Sequence, residues 1–521
     1  MQRRNFLKSA GATAVSLPIL LNGLRLSAMS QSALFNMIDP ESDKVLVLIQ
    51  MNGGNDGLNM IIPRDQYSGL AAVRSNILIP ENELLKVDDL TGFHPAMKAL
   101  KVLYDDARVG VVQSVGYPNQ NRSHFRSIDI WTSGSPAEKF WNTGWLGRHF
   151  DAEYPGFPEG YPNGQYPHPF AITMGSIVSE TCQGTIANYS MALEDPFNLF
   201  PLFESEGDVR PDTPYGNELD FLRTSIVQTN AYSEKITEAA NLGSNQAEYA
   251  EGNRLARQLK NVALLISGGL QTKIYVVNIG GFDTHAAQVV EGNPMVGEHA
   301  TLLEMVSNAI ATFQNDLKAQ GLEHRVVGMT FSEFGRKIRS NESLGTDHGT
   351  AAPLILFGSC IRPGMLGENP EIHRDVHPSE GVPMQYDFRD VYGSLLVDWF
   401  ELEESAVRSL LHENFQKLPI IEDCRMTTAA QTPLLDDFKI EAWPNPFDGW
   451  AQIGFTLERP AWVRLSLFNA IGGEVQVLTN QNLGAGAHRI PLEGSRLPVG
   501  TYFYRLQIGN QVRTKRLVKV G

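Results

Sequence analysis

Cysteine is scarce in this chain, with three among 521 residues: Cys182, Cys360 and Cys424. A count this small, odd and widely spaced argues against a disulfide framework and against a cysteine-ligated zinc site. Buried cysteines are expected, with a single Cys182–Cys360 or Cys360–Cys424 bridge left open. Basic residues number 43 against 58 acidic ones, and the formal net charge of -15 argues against nucleic acid as a partner. Beyond the N-terminal region no apolar run reaches the roughly 18 residues of a membrane span, so no transmembrane segment is expected. No fixed-period repeat is visible. What remains is globular, at 42% apolar and 19% charged, and long enough for two or more domains.

The two ends carry their own patterns. The chain begins with Arg3-Arg4, then Phe6-Leu7-Lys8 and an apolar stretch from Ala10 to Leu24, with small residues at Ser27 and Ala28. This matches a twin-arginine export signal, so residues 1–28 are expected to be removed on export. The alternative is an amphipathic first helix. That export route carries folded proteins, which suits a protein that acquires a metal before it crosses the membrane. At the other end, residues 426–437 are mostly small and polar and read as a linker. From Phe438 onward short alternating segments follow, at 451–457, 461–468, 501–508 and 511–520, separated by Gly and Asn turns. Period-two alternation at this spacing predicts a small β-sandwich over 438–521.

Between them, residues 43–425 alternate strand-like and helix-like segments. Strands are predicted at 45–51, 109–114, 170–173, 274–279, 326–331 and 353–357. Helices are predicted at 95–104, 248–267, 297–319 and 390–400. Such alternation predicts an α/β fold with a mainly parallel sheet flanked by helices. The Gly-, Pro-, Tyr- and Asn-rich stretch 143–213 reads as an irregular insertion or lid over the sheet edge.

Acids and histidines gather just after the apolar segments. Asp56 follows the first strand, Asp283 and His285 follow the strand at 274, Glu333 follows the strand at 326, and His348 precedes the strand at 353. Open parallel sheets hold their ligands outside the carboxyl ends of the strands. Carboxylates and imidazoles placed there point to a metal-centred site with Asp56, Asp283, His285, Glu333 and His348 as ligands. Residues two apart share a side in extended backbone, so Asp283 and His285 can both face inward. Each also has a structural reading. Asp56 could be a turn residue, Asp283 and His285 helix caps, Glu333 and Arg336 an ion pair, and His348 a hydrogen-bonded core histidine. Asn55 and Asp347 are expected to orient ligands. Ser123 precedes a helical segment, where it is a candidate nucleophile or an N-cap. Arg122 and Arg126 beside it could clamp an anion. No residue is assigned to an organic cofactor.

Several motifs together resemble the DUF1501 family, itself related to the alkaline phosphatase and sulfatase superfamily. They are Gln50–Asn59, Asn121–Phe125, Gly280–His285, Ser332–Arg336 and Thr346–Thr350. The resemblance implies an alkaline phosphatase-like core. It also implies a hydrolase of phosphate or sulfate esters, using one or two divalent ions (Zn, Mn, Mg or Ca) and acting on a small ester or glycan substrate. The chain departs from the superfamily pattern in two places. The spacing Asp283-Thr284-His285 is shorter than usual, and Glu333-Phe334 stands where Asp-His is expected. A second metal is therefore absent, or His124 replaces the missing ligand. With no Cys-x-Pro-x-Arg signature, a formylglycine enzyme is not expected. A non-enzymatic surface protein, binding a glycan or protein partner through a degenerate core, is the rival reading. The C-terminal module resembles the type A sorting domain of the type IX secretion system at Trp443–Phe447, Leu467–Gly473, Leu497–Tyr504 and Lys515–Val520. This implies the secretion machinery as partner and the cell surface or medium as destination.

Overall fold

In the computed structural model, the residues described are 19–21, 24–26, 43–199, 214–422 and 440–520, except 458–460, 470–473, 496 and 509–510. Most of the export signal and the linker lie outside the described residues. The chain divides into two compact units, at Cys424/Arg425.

The first unit is built on a nine-stranded sheet: β1 (Val45–Asn52), β2 (Val109–Gly116), β3 (Ala171–Met174), β4 (Ser190–Leu193), β5 (Ile274–Gly280), β6 (Val326–Phe331), β7 (Ala352–Phe357), β8 (Gly364–Leu366) and β9 (Tyr386–Asp387). Their order is β8-β2-β7-β6-β1-β5-β3-β4, with β9 also on β2. Every pairing is parallel except the two made by β7. The central strand β1 shows why the sheet is buried on both sides. Val45, Val47, Ile49 and Met51 belong to one apolar core, and Leu46 and Leu48 to the other. Such strands read as continuous apolar runs because both faces are covered.

One face is covered by α1 (Lys98–Asp105), α5 (Arg254–Ser267) and α6 (Glu298–Ala319). Helices α2 (His124–Ser133), α3 (Trp145–Glu153) and α7 (Phe388–Asp398) contribute to the opposite core. A 29-residue helix, α4 (Pro214–Leu242), has no counterpart among the expected helices. The stretch expected to be irregular also holds more order than its composition suggests. It supplies α3 and the last two strands at one end of the sheet, β3 and β4, so it extends the sheet as well as covering part of one face. Its tyrosines and phenylalanines pack on one another, with Tyr154 stacked on Phe170 and Phe157 on Tyr189.

Both described cysteines are buried, as expected. Cys182 is buried and free, whereas Cys360 is disulfide-bonded. The remaining cysteine of the sequence is Cys424.

The second unit has seven strands: β10 (Ile440–Trp443), β11 (Trp450–Leu457), β12 (Ala461–Asn469), β13 (Glu474–Leu483), β14 (Gly486–Glu493), β15 (Gly500–Ile508) and β16 (Gln511–Lys519). They form two antiparallel sheets, β10-β11-β14 and β13-β12-β15-β16, sharing a core that includes Phe447, Ile453, Leu465, Tyr504 and Leu517. Among the described residues no helix is long and apolar enough to cross a membrane.

Candidate metal centre

Strands β6, β1 and β5 lie side by side and parallel, so their carboxyl ends open onto one edge. The loops leaving that edge carry 53–56, 281–285 and 332–336. β7 runs the other way, so the residues that precede it, 346–350, arrive at the same edge. Parallel β2 ends there too and leads through 117–123 into α2. The topology therefore brings five segments far apart in sequence to one place.

The loops are held together by Arg336, whose side chain is fully buried. Its guanidinium donates to the carbonyls of Gly54 at 2.6 Å, Thr346 at 3.0 Å and Phe282 at 2.8 Å, and to that of Gly53. It also donates to Asp283 Oδ1 at 2.8 Å. Gly53 makes the close approach possible, because with φ +123° a Cβ there would stand 2.3 Å from the Asp283 nitrogen.

Around Asp283 stand three imidazoles. His348 Nε2 and His285 Nε2 lie 3.1 and 3.2 Å from Oδ1, and 2.9 Å from each other. His124 Nε2 faces Oδ2 at 3.4 Å. The other nitrogen of each ring fixes its tautomer. His348 Nδ1 lies 2.9 Å from the Arg122 carbonyl, which can only accept, so Nδ1 carries the hydrogen. His124 Nδ1 donates to Glu333 Oε1 at 2.8 Å, and His285 Nδ1 to Asp347 Oδ1 at 3.3 Å. With each Nδ1 as donor, each neutral ring turns an Nε2 lone pair toward Asp283. His124 Nε2 is buried and makes no hydrogen bond. Facing lone pairs beside a carboxylate repel unless a cation or a shared proton lies between them. The donors thus fit a metal ion: His124, Asp283 and His348 each offer one atom within 4.8 Å of the others, and His285 Nε2 stands against Asp283 and His348.

Burial raises the Asp283 carboxyl, but the hydrogen bond and charge of Arg336 work against it, and the carboxyl stands below its ordinary range. Asp347 is held down to about 2, first by its hydrogen bond from Lys337. Partial burial lowers His348 from its ordinary value.

Some expected roles change. Glu333 accepts from His124 Nδ1 and from the Gly53 backbone N–H at 2.9 Å, and its other oxygen lies 3.1 Å from Ser332 Oγ. It holds His124 Nδ1, and His124 rather than Glu333 stands against Asp283. Asp347 Oδ1 lies against His285 Nδ1 and its Oδ2 accepts from Lys337. Asp56 does not join the cluster, because both its oxygens lie 3.1 Å from Arg74 Nη1 and Oδ2 accepts from Gln288 at 2.7 Å. Asn55 likewise turns inward, accepting from His299 Nε2 at 2.9 Å. Arg122 donates to the Ser379 carbonyl at 2.7 Å, and Arg126 to Asp129 and to the Ala137 carbonyl at 3.0 Å. Arg336 is spent on the loops. Ser123 occupies the N-cap position of α2 in extended backbone, yet its hydroxyl makes no capping bond. The anchor residues Arg74, Gln288 and His299 gave no local signal in the sequence, being buried side chains on or near helices.

Residues 216–411 match the family model described as "Protein of unknown function (DUF1501)", and residues 441–520 match that of the "Secretion system C-terminal sorting domain". The first match takes in Asp283, His285, Glu333 and His348, while His124 lies before it. No curated protein matches this sequence. Solved structures resemble it only faintly. PorZ of Porphyromonas gingivalis, a type IX secretion component, is 12% identical with a TM-score of 0.13, over 16% of this chain and 11% of that one. The chain therefore spans about a tenth of that protein's length. An alkaline phosphatase superfamily protein from Vibrio parahaemolyticus is 11% identical with a TM-score of 0.31, over 88% and 85% of the two chains. The phosphonate monoester hydrolase of Silicibacter pomeroyi is 11% identical with a TM-score of 0.28, over 91% and 89%. Likenesses this distant say nothing of what this chain acts on. Residues 216–411 are thus similar to the DUF1501 family model and residues 441–520 to that of a secretion-system C-terminal sorting domain.

Proposed function

We propose that the protein is a secreted or surface-attached, metal-dependent hydrolase of phosphate or sulfate esters, exported first by the twin-arginine route. The observation that carries the metal reading is the set of imidazole Nε2 lone pairs turned on Asp283, each fixed by a bond at Nδ1. His124, His285, His348 and Asp283 would hold the ion. Glu333, Asp347 and the Arg122 carbonyl keep the rings aligned, and Arg336 keeps Asp283 in place. A divalent ion bound there would lower the pKa of an attacking hydroxyl and offset charge on the transferring group. Ser123 stands beside His124, exposed and free of a capping bond. This reading gives it the attack on phosphorus or sulfur, with the ester oxygen as leaving group and water releasing the acid afterwards.

One observation favours the rival, a surface protein that binds a glycan or protein partner without turnover. Arg122 and Arg126, suited to clamp an anion, are engaged with backbone carbonyls and Asp129, and Arg336 is engaged with the loops. Turnover separates the two. Protein purified without chelator should hydrolyse aryl phosphate or aryl sulfate, lose that activity on chelation and regain it with divalent metal. His348→Ala should abolish it. A metal-loaded, folded protein inert toward both esters would leave the binding reading standing.

A further inference from the structure

We propose that the cluster binds one ion of the imidazole-preferring class, Zn²⁺ rather than Mg²⁺ or Ca²⁺, on His124, His285, His348 and Asp283, and has no place for a second. This rests on reading the cluster as a metal centre, and it commits to one ion of one class where the sequence left one or two ions of four kinds.

The class follows from the donors. Three imidazole nitrogens and one carboxylate suit Zn²⁺ and its first-row neighbours, whereas Mg²⁺ and Ca²⁺ take oxygen ligands. The triangle of His285 Nε2, His348 Nε2 and Asp283 Oδ1 has edges of 2.9, 3.2 and 3.1 Å. A point above such a triangle lies roughly 2 Å from each corner, the length of zinc–nitrogen and zinc–oxygen bonds. Each ring is also backed as zinc-bound histidines are, with the distal N–H given to a carboxylate or carbonyl.

The number follows from what the remaining acids do. A second ion beside the first needs carboxylates of its own, and the three nearby in sequence motif are spent. Glu333 serves His124 and the Gly53 N–H. Asp347 serves His285 through one oxygen and Lys337 through the other, at 2.9 Å. Asp56 is closed by Arg74 and Gln288. Arg336 adds a fixed positive charge against Asp283, where a second cation would have to approach.

The test uses the full chain, stripped with chelator and checked for fold by circular dichroism. It is reloaded separately with Zn²⁺, Co²⁺, Mg²⁺ and Ca²⁺ and weighed by native mass spectrometry. One Zn²⁺ or Co²⁺ per chain, with Mg²⁺ and Ca²⁺ binding at least 100-fold more weakly, is expected. The Co²⁺ form should show the intense visible bands of a low-coordinate site. Asp347→Asn, at a partly exposed position, should weaken Zn²⁺ about 10–100-fold without unfolding the chain, and His285→Ala should weaken it further. Two ions per chain, a Mg²⁺ or Ca²⁺ preference, or undiminished affinity in His285→Ala would overturn the proposal. No ion bound would overturn it too and would assign the facing nitrogens to a shared proton. Ester turnover is scored separately. One tight Zn²⁺ with no turnover sinks the hydrolase and keeps this site, whereas turnover with two ions or Mg²⁺ does the reverse.

Discussion

At the scale of single residues, Asp56 and Asp283 show how similar signals part company. Both follow an apolar strand and a pair of glycines. Asp283 meets imidazoles, while Asp56 meets Arg74 in a pair that is buried on both sides. Burial raises the Asp56 carboxyl, and Arg74, His299 and Gln288 together bring it below its ordinary value. A depressed carboxyl contributes stability that is present above its unfolded pKa and is lost as pH falls through the folded one. Removing one partner of a buried pair strands the other charge, so Asp56→Ala should cost about 3–5 kcal/mol. Urea midpoints measure that, and the metal content of the folded fraction should stay at wild type. A variant with unchanged midpoint, or one that loses its metal while folded, would return Asp56 to the site. The sequence made the acids and histidines of the motifs visible but not which acid would be neutralised, since Arg74, Gln288 and His299 come from distant turns. His124 was legible only as a stand-in for the imidazole missing at Phe334. Its exchange of roles with Glu333 depends on which atom stands nearer Asp283, and no spacing encodes that.

Two further histidines set a pH dependence. His94 and His299 are buried, and burial lowers them to about 3 and about 4 from 6.5. In the unfolded chain they take up protons below pH 6.5, and in the fold they stay neutral until far lower. Stability held above pH 6.5 is therefore lost as pH falls toward 4. Thermal midpoints of metal-stripped protein should drop between pH 7 and pH 5, before most carboxylates titrate. A flat or rising midpoint across that interval would contradict the assignment.

At the scale of elements, the parallel strands were legible because a sheet covered on both faces needs unbroken apolar runs, as at Val45–Met51. Helix α4 was not. Among its residues of described burial, the buried apolar positions Tyr232, Ile236, Ala239 and Ala240 are partly small, so the helical period is faint against a polar background. The strands β3 and β4 are only four residues each, short enough to vanish into a Gly- and Pro-rich stretch. The turn after β1 carries its own consequence. Gly53→Ala would put a methyl group against the Asp283 backbone at a φ that side chains resist. Strain of this kind costs about 1–3 kcal/mol, and relieving it would push Asp283 off its place. The variant should melt lower and bind Zn²⁺ more weakly, as read by calorimetry. An unchanged affinity would show that the turn does not position Asp283.

At the scale of the whole molecule, cysteine chemistry and the two separate cores make claims about where the protein works and what each part does. A disulfide at Cys360 fits an oxidising destination. Cys182 is pushed up to about 12 by burial and stays an unreactive thiol. Alkylation of secreted, denatured protein should label one cysteine before reduction and all three after it. The core of the second unit shares no residue with those of the first, so each unit buries its own apolar surface. The second unit matches a secretion sorting domain, and none of its described residues enters the candidate metal centre. A chain ending at Cys424 retains every cysteine and every ligand, so it should fold, bind metal at the full-length stoichiometry and keep whatever turnover the full chain has. Expressed in a host with the secretion system, it should remain inside the outer membrane while the full chain reaches the surface or medium. Fractionation with immunodetection reads the destination, and native mass spectrometry reads the metal. If the shortened chain is folded yet cannot hold the ion, the second unit takes part in the site. If it still reaches the surface, the sorting role belongs elsewhere in the sequence.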